Sequence, residues 1–294
     1  MNNAANEKRG ARETRLQVTV RLTPQRFVHT ISWIAGVALA LGSQTTLAAD
    51  LPADRAAYRP IQGAELRSVL PPDGKTALAK VARFTMRTLP VSVGEFQNFV
   101  NFRLQWRRDR VATLLAEGNY LASWPSATAA DSRRSRQPIT EVSWFAAQAY
   151  CESEGARLPT WYEWELAAAA DETRRDARLD PHWRERILGW YSRPSNTALP
   201  EIGAGTANTY GITDLHGVVW EWVYDFASLM VSADNREQGD PDMLKFCGAG
   251  ALSMNDRENY AILMRVALLS SLQAQGTTRN LGFRCVRPQS SVSQ

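Results

Sequence analysis

Apolar residues first gather in one uncharged run, Ile31–Gly42 (ISWIAGVALALG), and further along settle into short periodic segments separated by polar stretches. From Leu51 to about Lys80 the chain is rich in Pro and Ala with weak periodicity, which predicts a strand or two among loops. Val81-Ala82-Arg83-Phe84-Thr85-Met86 alternates as a strand does. Ser92-Val93-Gly94-Glu95 has the spacing of a capping box, with Val91 and Phe96 placed for a hydrophobic staple. The helix that follows carries Phe96, Phe99 and Val100 on one face. Residues 103–140 then form a long polar connection holding Arg103, Arg107, Arg108, Arg110, Arg133, Arg134 and Arg136. It reads as a solvated face.

The most orderly stretch comes next. Ser143 is placed to N-cap a helix running to about Glu154, with Gly155 at the position that ends it. Thr160 and Glu163 make a second capping box for a helix over Trp161–Ala170. Asp180-Pro181 is a third helix start, with proline at the first helical position. Beyond Pro194 the pattern changes to short apolar pieces broken by Gly, Asn and Asp, which predicts strands and turns as far as Val286. Helices first and irregular β structure afterwards indicate an α+β domain.

Composition fits a folded chain: 294 residues, 44% hydrophobic and 22% charged, with ten tryptophans to build a loop-rich core. The net charge of +4 sits in residues 1–26, where Lys8, Arg9, Arg12, Arg15, Arg21 and Arg26 outweigh Glu7 and Glu13. The remainder is neutral, which argues against nucleic acid as a partner. This basic start, the run at 31–42 and the small residues up to Ala48 and Ala49 follow the order of a secretory signal peptide. A retained anchor is the competing reading, but the run is shorter than the ~20 residues that span a bilayer. The expected organisation is a signal peptide at 1–49, a lead-in at 50–80, one domain at 81–288 and a tail at 289–294. The expected location is periplasmic or secreted, with no membrane span after cleavage.

Candidate chemistry is sparse. The sequence has no Walker loop, dinucleotide glycine pattern, HExxH, CxxC or GxSxG motif. After the leader only His182 and His216 remain, too few for a three-histidine metal site in one chain. His216 has the surroundings of a hydrogen-bonded structural residue, with a weak claim as a base or ligand. Cys247, before Gly248-Ala249-Gly250-Ala251, is a second weak catalytic candidate. Met243, Met254 and Met264 would be soft Cu(I) ligands beside it. In an oxidising compartment Cys151, Cys247 and Cys285 give one disulfide and one free thiol, with three pairings open.

Several separated motifs carry a resemblance. Val142–Cys151 (VSWFAAQAYC), Gly155-Ala156-Arg157-Leu158-Pro159-Thr160 with Glu163-Trp164-Glu165, and Tyr210-Gly211-Ile212 with Asp214-Leu215-His216-Gly217 come in order. Val219-Trp220-Glu221-Trp222 and Asn280-Leu281-Gly282-Phe283-Arg284-Cys285 follow, and Pro90–Phe96 is a looser match. Together they resemble the formylglycine-generating enzyme, or sulfatase-modifying factor, family over about Val81 to Val286. The resemblance implies an elaborated C-type-lectin-like α+β fold with much irregular structure, and a disulfide between Cys151 and Cys285 that leaves Cys247 free.

Two departures from the family matter. Its generators hold copper between two cysteines, whose positions here fall near Asp256 and Ala261, and Val218 replaces an asparagine associated with structural calcium. Copper and calcium therefore each lack a complete ligand set. The implied function is an exported accessory, binding or maturation factor, with a protein or small-molecule partner and no formylglycine-generating activity. The alternative is a non-haem metal-dependent oxidoreductase working through Cys247 on a protein or a small molecule such as a siderophore precursor.

Overall fold

A computed structural model describes residues 57–73, 76–193, 197–229 and 260–288; the leader, Cys247 and the tail lie outside them. Strand β1 (Tyr58–Ile61) pairs antiparallel with β4 (Phe84–Arg87), Tyr58 facing Arg87 and Ile61 facing Phe84. On its other side β4 pairs antiparallel with β7 (Val286–Pro288), so the order is β1-β4-β7. Pro60 is tolerated because β1 is an edge strand. β2 (Ala64–Leu66) and β3 (Ala79–Val81) form a separate antiparallel ribbon. The alternation from Val81 to Met86 is thus divided between two sheets. Gly63 sits against the break, where a Cβ would lie 2.3 Å from the Val81 carbonyl oxygen.

The helices begin where their caps place them. In α1 (Val93–Phe102) the Ser92 and Glu95 side chains each accept a hydrogen bond from the other residue's backbone N–H, at 3.2 and 2.9 Å. Val93, Phe96, Phe99 and Val100 are its buried face. α2 (Trp144–Ser153) is capped by Ser143 and followed by Gly155 at φ +65°, a conformation glycine adopts without strain. α3 (Trp161–Ala168) has the Thr160–Glu163 box, and α4 (Pro181–Tyr191) has Asp180 accepting from the N–H groups of His182 and Trp183.

The second half departs from the expectation of strands and turns. A helix, α5 (Tyr260–Ser270), packs against α4 and the turn Phe226–Ser228. Its Ala, Leu, Met and Arg content favours helix, and an apolar run interrupted at Arg265 carries no period-2 signal to oppose it. Among the described residues of this half, regular β structure consists of the two-residue strands β5 (Trp220–Glu221) and β6 (Leu281–Gly282), paired parallel, and β7. Gly282 has no room for a side chain, since a Cβ would come within 2.4 Å of the Ile139 carbonyl oxygen.

The core joins the two halves. Phe96, Phe99, Tyr150 and Phe283 pack ring to ring, with centroids 5.3–6.1 Å apart. Cys151 and Cys285 form a disulfide beside them across 134 positions of sequence. The buried Arg87 guanidinium bridges Glu95 at 2.5 Å and Glu154 at 2.6 Å. In the Arg-rich connection Arg103, Arg110, Arg133 and Arg136 are exposed, while Arg108 donates to the carbonyls of Leu121 and Trp124. Among the described residues no helix is long and apolar enough to cross a membrane.

Candidate functional site

Asp214, Leu215, His216 and Gly217 line a cavity of about 280 Å³ whose opposite wall is α4. The loop that carries them is folded by Asn208, whose side-chain oxygen accepts from the N–H groups of Tyr210 and Ile212 and whose amide donates to the Ala167 carbonyl. Asp214 sits at φ +62°, its carboxylate accepting from Gly203 N–H at 2.5 Å. Burial pushes that carboxyl above the usual range. Gly217, at φ +93°, brings the backbone against the Trp190 ring. From α4 come Trp183, Ile187 and Trp190, spaced to share one face.

His216 is held on three sides. Its Nε2 lies 2.9 Å from the Ala168 carbonyl oxygen, and its ring meets those of Trp164 and Trp183 edge-on at 5.6 Å. A carbonyl oxygen only accepts, so Nε2 carries the proton. Nδ1 is shielded and has no hydrogen-bond partner among the described residues. Burial pulls the imidazole down to about 4, so it is neutral at pH 7. His216 thus lines the cavity with its carbon edge while both ring nitrogens are turned away from solvent.

Behind His216 lies a sealed charge cluster. The Arg284 guanidinium grips both Glu221 oxygens, with NH2 2.8 Å from Oε1 and both groups fully buried. Trp164 Nε1 donates to the same carboxylate at 2.8 Å. Arg265 donates to the Glu221 carbonyl, and its guanidinium lies 3.5 Å from the centre of the Trp164 ring. Burial draws it down to about 10 against the pull of Glu221, which leaves it charged at pH 7. Trp220 packs on Trp190 and Tyr191, whereas Trp222 donates to the Val142 carbonyl and packs on Phe226. Glu221, quoted in the sequence only as part of the Val219–Trp222 motif, is the residue on which the buried cluster converges.

These residues fit neither metal implied by the resemblance. Two thiolates are needed for linear Cu(I), and Cys151 and Cys285 are consumed in the disulfide. Calcium takes oxygen ligands, Val218 supplies no side-chain oxygen where the asparagine would stand, and the Glu221 carboxylate three residues on already accepts from Arg284 and Trp164. Among the described residues no group of three His, Cys, Asp or Glu side chains is arranged to hold a metal ion. His182 is exposed at the start of α4, and Cys247 falls outside the described residues.

The family described as sulfatase-modifying factor enzyme 1-like domain matches residues 59–289. The chain belongs to this family. This chain is 29% identical over 259 residues to the formylglycine-generating enzyme of Bos taurus, covering 72% of this chain and 68% of that one. It is 30% identical over 159 residues to the inactive C-alpha-formylglycine-generating enzyme 2 of Bos taurus, covering 50% and 48%. It is also 28% identical over 159 residues to a hercynine oxygenase of Mycobacterium tuberculosis, covering 48% and 37%. The chain therefore matches from 37% to 68% of the length of these relatives. The α+β architecture with much irregular structure agrees with that membership.

Proposed function

We propose that this chain is an exported accessory, binding or maturation factor of sulfatase-modifying-factor type that does not generate formylglycine. One observation carries the reading: of three cysteines, Cys151 and Cys285 are bonded to each other, so Cys247 is the one thiol left to a chemistry that needs two. The relatives support it, because the family includes a member named as inactive beside members named for oxidation. The oxidoreductase alternative would rest on Cys247 with His216, and the enclosed, neutral imidazole speaks against that pairing.

Thiol counting and a Cu(I) competition test the reading. The denatured, unreduced protein should show one reactive thiol per chain, and Cys247→Ser should show none. Neither protein should take Cu(I) from a chelator that a two-thiolate site outcompetes. Two free thiols, or stoichiometric Cu(I) with two sulfur neighbours by X-ray absorption, would refute it.

A further inference from the structure

The cavity at His216 continues into a second one of about 190 Å³, and the two share Trp190, Arg193 and Gly217. The second is walled by Tyr191 and Trp220, with Leu199, Pro200 and Val219 adding apolar surface. Trp190, Tyr191 and Trp220 pack together at 4.5–5.3 Å between centroids, and all three are half-buried, which leaves part of each ring facing the cleft. At the junction stands Arg193, exposed, with the Gly217 carbonyl oxygen 3.4 Å from its guanidinium. The cleft's other arginine is already matched, Arg186 pairing with Glu172. Among the described residues Arg193 has no carboxylate partner.

We propose that this cleft binds a small ligand carrying a carboxylate on a flat apolar ring, the carboxylate on Arg193 and the ring against Trp190 and Trp220. A planar guanidinium matches a carboxylate in two hydrogen bonds, and indole faces take flat apolar surface. A neutral sugar would meet the same rings but leave Arg193 unmatched. A cationic ligand would meet its repulsion. The proposal stands whether or not the chain makes formylglycine.

The test is calorimetric titration of the full chain with 2-naphthoate and with its neutral isostere 2-naphthamide. The carboxylate should bind about tenfold more tightly. Arg193→Gln, at an exposed position whose one side-chain hydrogen bond among the described residues is the long one to the Gly217 carbonyl, should bring the two ligands to equal affinity. Trp190→Ala should weaken both, while circular dichroism shows the fold retained. No heat with either ligand at millimolar concentration, equal affinity in the unaltered protein, or a preference that survives Arg193→Gln would overturn the assignment.

Discussion

Because Nε2 of His216 donates to Ala168 and Nδ1 is enclosed, the folded chain resists protonating this ring. The unfolded chain takes up that proton near the ordinary value of 6.5, and the folded chain only near 4. Between those values the unfolded state holds more protons, so stability rises with pH, by at most about 3 kcal/mol from this group. Asp214 and Asp225, pushed up by burial, act in the opposite direction. The comparison must therefore be with His216→Gln, which should flatten the rise in urea-unfolding free energy between pH 4.5 and 7. An identical slope in the two proteins contradicts this account. At Glu221 the concern is pairing. Arg284→Met would leave a carboxylate buried with Trp164 as its one donor among the described residues and should cost about 3–5 kcal/mol. The double variant with Glu221→Leu should recover much of that, and strict additivity in the cycle would show that the pair is not coupled.

At the scale of elements, the caps are local devices with separable effects. Ser92→Ala and Thr160→Ala should each cost about 1 kcal/mol in denaturant unfolding, and the two losses should add. A loss below a few tenths at either site would show that the reciprocal hydrogen bonds do not stabilise the helix. Capping signals span four residues, which is why α1 to α4 could be placed from sequence. α5 could not, because Ala261–Leu269 is apolar enough to serve either a strand or a helix, and packing against α4 decides between them. The division of Val81–Met86 between two sheets depends on Gly63, far enough away that no local pattern reveals it. The cleft was hidden for a similar reason. Asp180-Pro181 announced the start of α4, but the line of Trp183, Ile187 and Trp190 gains meaning only when the Asp214–Gly217 loop lies opposite.

At the scale of the molecule, the Cys151–Cys285 bond ties α2 to the end of the chain. Closing a loop of 134 positions limits the unfolded ensemble by ~4–5 kcal/mol in the chain-entropy model. Reduction should lower the melting temperature by ~10 °C or more. Cys247→Ser should melt with the unaltered protein, and a reduced form as stable as the oxidised one contradicts the assignment. Export belongs to this scale too: Edman sequencing of protein recovered outside the cytoplasm should begin at Ala49 or Asp50, and a retained Met1 would count against it. The central claim is that the scaffold of the formylglycine-generating enzyme family persists here without a pair of free thiols. Mass spectrometry of a sulfatase-motif peptide incubated with the purified chain, Cu(I), oxygen and a reductant tests it most directly. The peptide cysteine should emerge unchanged, and an aldehyde that condenses with hydroxylamine would contradict the account.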